Sequence, residues 1–317
     1  MQQMIPVSVC GDYWVNPQEV WQQLQEQHNN DTVTLDMGTE GASLESLEIS
    51  RMLDQWLAQH NRNPDTIIVD KWPNTVENIP YQRAFRPRIS HFFWMSDRYR
   101  PSTTIPTTHQ YCFAYFLGRQ TLPRRRIMWD MYHNKNVLLS VMLGSYGLSP
   151  SIDNADQWCQ DLTQQQLDQW FENCPVPCLD GHLIQNQYKP DHNTNYDILE
   201  FYHQFDIEIV AETYTLGNVF FPTEKTIRPL CAGRPILLYG PINFLQRLHE
   251  LGFRTWNSIW DETYDQYQGW DRWQMIQTVI KDLSSRNQQQ LWDQCQAVCQ
   301  HNHALVGELS KRYGPNQ

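Results

Sequence analysis

The feature that most limits what this chain can become is the regular exchange of short apolar runs with amphipathic stretches of helix length. Residues 5–10 read as a strand, and Asn16-Pro17 then offers an N-cap and a preset first helical residue for a helix over 17–27 with Val20 and Leu24 on one face. Residues 32–37 form the second strand. The tight loop Gly38-Thr39-Glu40-Gly41 follows it, and Ser43 caps an amphipathic helix carrying Leu44, Leu47, Leu53, Trp56 and Leu57. After the turn Asn63-Pro64 comes a third strand, 66–70. Strands separated by helices of this length imply parallel βαβ units with right-handed crossovers, and such sheets gather ligand loops at the C-terminal ends of their strands. Glu40 falls on that rim.

The same alternation continues. Residues 89–95 add a strand, and the polar, aperiodic stretch 102–108 reads as an interdomain linker, which divides the chain into domains over 1–105 and 106–317. A length of 317 residues accommodates two domains of about 150 residues each. The second begins with the strand Tyr111–Leu117, closed by Gly118-Arg119; Pro123 starts a helix whose first turn is crowded by Arg124, Arg125 and Arg126, and 137–143 is the next strand. Positive charge at a helix start is unfavourable unless an anion sits there. Gln-rich helical pieces and the loop 174–195 fill 153–204 as an excursion from the sheet, after which Phe205–Ala211 resumes it and ends at Glu212. Thr223-Glu224-Lys225-Thr226 then opens a helix that Gly233 stops, and Pro235 leads into the apolar run Ile236–Tyr239. Thr223 caps this helix, whose positive N-terminus is a natural seat for a diphosphate; Lys225 there makes sense beside an anion, and Glu224 can accept from a ribose diol. Pro229 falls inside the helix and implies a kink or a later start. A helix over 243–251 ended by Gly252, and two amphipathic helices over 270–283 and 288–303, complete the chain.

Residues 220–240, FFPTEKTIRPLCAGRPILLYG, resemble the nucleotide-binding motif of the fucosyltransferase-like glycosyltransferases: a TEK followed by a helix, an Ala-Gly pair and a Pro-led apolar strand. The likeness is strong over about twenty residues and weak over the second half of the chain. The succession of strand, Gly-Arg and basic helix start at 111–126 is similar to the opening of the nucleotide-binding half in the same group. The resemblance implies an α/β fold of two Rossmann-like domains facing across a cleft (GT-B-like) with C-terminal helices. A nucleotide-sugar donor would sit in the second domain against Arg119, Arg126, Glu212, Thr223, Glu224, Lys225 and Thr226, and the acceptor against the first. The same residues also fit an ordinary capped helix in an α/β domain.

The formal net charge of −11 argues against wholesale coating of nucleic acid, but nine arginines lie between Arg83 and Arg126 against the single acid Asp97. Phe85, Phe92, Phe93, Trp94 and Tyr99 interleave with them, a mixture suited to phosphates and stacking that makes Arg83, Arg86 and Arg88 acceptor candidates. Equally, those arginines pair with the surplus acids and the aromatics are core. The acceptor reading favours a hydroxymethylated base in DNA, of the kind viral DNA glycosyltransferases modify; a surface glycan competes with it, and a noncatalytic nucleic-acid-binding module is the reading from another class.

Sugar transfer needs a carboxylate to take the acceptor's proton, for which Glu40 is the candidate, with Asp36, Glu77 and Asp97 behind it. No D-x-D triplet occurs, so leaving-group charge falls to arginine, lysine and helix dipole, with no metal or other cofactor expected. The run Cys295-x3-Cys299-x-His301-x-His303 suits zinc only if the helix ends before His301. Neither a Walker-type phosphate loop nor a G-x-G-x-x-G after a strand is present, which disfavours kinases and dehydrogenases. There is no apolar run of about 18 residues and no basic-then-apolar start, so the expected setting is cytoplasmic, the host's cytoplasm if the chain is viral, without a membrane partner. Eight scattered cysteines read as free thiols in that compartment.

Overall fold

The computed structural model describes residues 4–10, 13–37, 44, 48–70, 80–84, 101–118, 121–141, 161–163, 165, 166, 169, 199 and 201–313. In chain order its elements are β1 (Ile5–Pro6), β2 (Val9–Cys10), β3 (Tyr13–Trp14), α1 (Pro17–Glu26), β4 (Val33–Asp36), α2 (Ile49–His60), β5 (Ile67–Asp70) and β6 (Gln82–Ala84). Then come β7 (Tyr111–Leu117), α3 (Leu122–Met131), β8 (Val137–Val141), β9 (Phe205–Ala211), α4 (Glu224–Ala232), β10 (Ile236–Tyr239), α5 (Phe244–Glu250), α6 (Gly269–Ser284) and α7 (Gln288–Tyr313). The protein is α/β, with parallel sheets and C-terminal helices. No helix among the described residues is long and apolar enough to cross a membrane.

Two compact units emerge, neither of them a single stretch of chain. The first comprises Met1–Ser90, Thr213–Phe221 and Gly240–Phe244; the second comprises His91–Glu212, Pro222–Tyr239 and Leu245–Gln317.

In the first unit β1, β4, β5 and β6 lie side by side in chain order, every pair parallel. Val33, Leu35, Ile67 and Val69 point into a core completed by Val20 and Leu24 of α1 and by Leu53 and Trp56 of α2. Trp56 donates its indole N–H to the Leu24 carbonyl at 3.0 Å, joining the two helices. Three local expectations are corrected here. Residues 5–10 do not form one strand: β1 ends at Pro6, and β2 pairs antiparallel with β3 instead. Asn16 holds the N-cap position of α1, as expected, but its side chain makes no cap bond: it accepts from Ser8 N–H (2.8 Å) and the Trp14 indole (3.2 Å) and donates to the Pro6 carbonyl (3.0 Å), stapling that hairpin. The second helix starts at Ile49, after Glu48 in the left-handed region (φ 57), and Leu44 reaches the core from outside it. Ser43, Leu47 and the strand expected over 89–95 lie outside the described residues.

In the second unit the parallel strands run β8-β7-β9-β10. From β7 the chain steps outward to β8 and then returns to add β9 on the other side. The strand order therefore reverses between β7 and β9, and in open parallel sheets the crevice at such a reversal, beyond the strands' C-terminal ends, is where ligands bind. α3 starts just beyond β7 and α4 follows β9, so both helix beginnings belong to that end of the sheet.

The stretch expected as a linker is tied into this unit. Ile105 N–H donates to the Ala232 carbonyl at 3.0 Å, Thr107 and His109 bind Asp206 at 3.0 and 2.8 Å, and Thr108 bonds the His203 carbonyl. Arg234, 1% exposed, donates to the carbonyls of Ile105, Pro106 and Tyr202. The last helix also departs from expectation: α7 runs unbroken from Gln288 to Tyr313, ten residues beyond His303. His301 and His303 turn to the carbonyls of Gly252 (3.0 Å) and Cys231 (2.6 Å). Cys112, Cys231, Cys295 and Cys299 are buried, and burial pushes the Cys112 and Cys299 thiols up to about 12.

Candidate functional site

α4 begins where the TEK motif placed it. Thr223 is its N-cap, in extended geometry, and its hydroxyl accepts the Lys225 N–H at 3.3 Å. Pro229 neither delays nor breaks the helix; it lies in the second turn, where its missing N–H withholds only the bond to the Lys225 carbonyl. The far end is a Schellman turn around Gly233 (φ 71), with Gly233 N–H on the Leu230 carbonyl and Arg234 N–H on that of Pro229.

Glu212, immediately after β9, holds the beginning of α4 from beneath. Its carboxylate accepts the Thr223 N–H (3.0 Å), the Thr223 hydroxyl (2.6 Å) and the Thr226 hydroxyl (2.5 Å), and the side chain is fully buried. The sequence reading placed Glu212 and Thr226 among the donor-binding residues; the structure engages both in anchoring the helix that carries the motif.

Glu224 and Lys225 occupy the first turn above that anchor. Their side chains pair at 2.7 Å and are largely buried, 22% and 19% exposed. Burial alone would raise the Glu224 pKa, but the Lys225 ammonium, the backbone and the nearby Arg228 guanidinium hold it down to about 2. Burial lowers the Lys225 pKa; Glu224 opposes that shift, and the neighbouring Arg124 guanidinium adds to it. The beginnings of α3 and α4 both bond to Glu212, the first through Arg124 and the second through Thr223. Arg124 is 3% exposed, donates to the Glu212 carbonyl at 2.6 Å, and has its own carbonyl bonded by the Tyr115 hydroxyl at 3.1 Å.

Arg124 was not among the sequence candidates; Arg126, two residues on, was. A two-residue step turns a helix by about 200°, and the two guanidiniums part company accordingly. Arg126 pairs with Asp130 (2.9 Å) and Asp161 (2.5 Å) and lies over the Trp270 ring, while Asp130 also accepts the Trp273 indole N–H at 2.8 Å. It is thereby committed to joining α3 to α6.

β9 carries a second feature the sequence reading passed over. Alternation places Phe205, Ile207, Ile209 and Ala211 on one face and Asp206, Glu208, Val210 and Glu212 on the other, all buried. Three carboxylates on the covered face of a central parallel strand are unusual, since such strands normally read as continuous apolar runs. Each has partners: Asp206 has Thr107 and His109, Glu212 has Thr223 and Thr226, and Glu208 has Arg228 at 2.6 Å together with the Tyr202 hydroxyl. Period-two acids in an otherwise apolar strand were the available signal.

Of the remaining candidates, Glu40, Arg86, Arg88 and Arg119 lie outside the described residues, as do Glu77 and Asp97. Arg83 is on β6, its backbone paired with Val69. Asp36 ends β4 opposite Asp70, at the C-terminal rim of the first sheet. No group of His, Cys, Asp and Glu among the described residues is arranged to hold a metal ion. No protein-family model matches the chain, and no curated protein matches it in sequence.

Proposed function

We propose that the protein is a nucleotide-sugar-dependent glycosyltransferase whose donor diphosphate binds where α3 and α4 begin. One observation carries the reading: Arg124 and Lys225 sit at the starts of the two helices that follow the strands where the sheet order reverses, and both starts bond to Glu212, Arg124 to its carbonyl and the α4 cap Thr223 to its carboxylate. Lys225 is paired with Glu224 and Arg124 is bonded to the Glu212 carbonyl, and these two side chains together with the N-terminus of α4 offer donors and positive potential on which a phosphate can settle. The likeness of residues 220–240 to the fucosyltransferase-like motif supplies the class of anion, a nucleoside diphosphate.

In the proposed reaction the bond between the sugar's anomeric carbon and the diphosphate oxygen breaks, and its electron pair leaves with the diphosphate. Arg124, Lys225 and the α4 dipole stabilise that charge. The acceptor hydroxyl oxygen bonds the anomeric carbon and gives its proton to a carboxylate, for which Glu40 stays the candidate and Asp36 the alternative. Glu224, held ionised, accepts hydrogen bonds from the ribose hydroxyls. The arrangement of two Rossmann-like domains about a cleft is part of the proposal.

For the acceptor the basic, aromatic stretch containing Arg83, Arg86 and Arg88 favours DNA bearing a hydroxymethylated base, with a surface glycan as the competitor. A thermal-shift panel of UDP, GDP, ADP and CDP tests the donor site. Stabilisation by one of them is the expected result; stabilisation by none would favour a noncatalytic module. Salt then separates the acceptors, because binding through several phosphates weakens steeply with ionic strength and binding of a neutral glycan does not.

A further inference from the structure

Glu208 and Glu212 stand four residues apart on the same face of β9, about 13 Å from one another along the strand. α4 packs against β9 and meets both. Its first turn is held by Glu212 through Thr223 and Thr226; its second turn is held by Glu208, whose Oε1 accepts Arg228 Nη2 at 2.6 Å. Tyr202 completes the second anchor, donating its hydroxyl to Glu208 and accepting Arg228 Nε at 2.7 Å. Arg228, Glu208 and Tyr202 are respectively 3%, 2% and 0% exposed.

A buried ion pair of this kind adds little net stability, because desolvating the charges offsets their attraction. α4 already buries Ile227 and Leu230. Apolar burial is non-directional, however, and leaves a helix some freedom to slide along its axis or roll about it. Two directional anchors a turn apart remove both freedoms.

We infer that Arg228, Glu208 and Tyr202 are positioning residues for the donor site, acting with Glu212 as a two-point clamp that fixes where α4 presents Glu224 and Lys225. The inference rests on the donor-site reading above. A diphosphate seat built from a helix start and two short cation contacts tolerates only sub-ångström displacement. Arg228 also lies one turn from Glu224, on the same face of α4, and contributes to keeping that carboxylate ionised. The clamp therefore governs where the first turn sits.

The test replaces the second anchor with apolar groups of similar volume, Arg228→Met with Glu208→Leu and Tyr202→Phe. Such swaps of buried ionic groups commonly preserve or raise the melting temperature. The probe is whichever of UDP, GDP, ADP and CDP binds the parent chain most tightly, titrated calorimetrically at neutral pH, with Lys225→Ala measured alongside. The triple variant is expected to stay folded and to bind about tenfold or more weakly. A folded triple variant with parental affinity, beside a weak Lys225→Ala, overturns the clamp and leaves the donor site standing. Parental affinity in Lys225→Ala overturns the donor site itself, and a parent that binds none of the four overturns both. If the triple variant does not fold, Tyr202→Phe alone decides: weaker binding at unchanged melting temperature supports the clamp, and parental binding ends it.

Discussion

Glu212 and Thr223 are bound to one another twice, the carboxylate accepting the threonine N–H at 3.0 Å and its hydroxyl at 2.6 Å, so the end of β9 caps the beginning of α4. An N-cap usually satisfies helix donors with its own side chain. Here the cap residue is itself held by a buried carboxylate from the preceding strand, which makes the helix start an extension of the sheet.

Thr223→Val keeps the shape of that side chain and removes its hydroxyl. The Lys225 N–H loses its cap and Glu212 loses one donor in a fully buried place. Chemical denaturation at neutral pH should report a loss of about 1–3 kcal/mol. A loss within about 0.5 kcal/mol would place the stability of α4 elsewhere.

Arg124 and Arg126 should separate cleanly. Arg124→Gln is expected to weaken nucleoside-diphosphate binding by an order of magnitude or more, since it removes one of the two cations proposed to meet the diphosphate. Arg126→Gln leaves Asp130 buried beside Trp273 without its cation, so it should cost about 2–4 kcal/mol of stability and leave the affinity of the folded protein unchanged. Titration calorimetry and denaturation on both variants check this, and a reversed pattern would return Arg126 to the donor site.

Gly233→Ala should be severely destabilising for two independent reasons. Its φ of 71 strains any residue with a Cβ, and the added methyl would collide with the Thr104 side chain. Together these should cost about 2–4 kcal/mol, and adding Thr104→Gly, which removes both the Cγ2 and the Cβ that the methyl would meet, should recover the steric share, leaving about 1 kcal/mol. A double-mutant cycle measures the coupling; the absence of any recovery would mean that residue 104 does not press on the end of α4.

Glu262 gives the fold a pH dependence of definite sign. Burial pushes its carboxyl up to about 7, against hydrogen bonds from the Thr255 side chain and the Trp256 N–H that lower it and the charges of Asp265 and Asp261 that raise it. The unfolded chain releases this proton near the ordinary glutamate value of about 4.3, whereas the folded protein keeps it until about 7. Between those values the folded state binds more protons, so this group's contribution to stability falls as pH rises through the window. Glu262→Gln should remove that slope, becoming more stable relative to the parent from about pH 5 to pH 8. Equal slopes in the two proteins would show that Glu262 ionises normally.

Chelation should leave nucleoside-diphosphate binding intact. With no D-x-D triplet in the sequence, and with Arg124 and Lys225 at the proposed seat, the diphosphate's charge is met by fixed protein cations. Titration in EDTA, compared with added manganese or magnesium, checks this. Binding that requires the metal would transfer the charge-neutralising role away from these side chains.

What the sequence determined by itself is whatever neighbouring residues decide among themselves. Apolar runs bounded by turn residues place β7 at Tyr111–Leu117 and β10 at Ile236–Tyr239, alternation places β9 at Phe205–Ala211, and the local chemistry of threonine and glycine marks the two ends of α4. Local pattern failed where a side chain had a choice of partner. Asn16 has the chemistry of a cap and is used as a staple, because the hairpin folds back within its reach. Leu44 has the periodicity of a helix and is core without being in one. The same limit applies at the site. The sequence offers Arg126 an i,i+4 partner in Asp130, but nothing local sends Arg124 to the Glu212 carbonyl, 88 residues away; that contact exists only once the helix is packed on the sheet. Glu208 finds Arg228 across twenty residues of chain and Glu212 finds Thr226 across fourteen. A buried charge must take the partner that the fold brings within hydrogen-bonding distance, and that distance is set by how strands and helices stack, which is decided only in three dimensions.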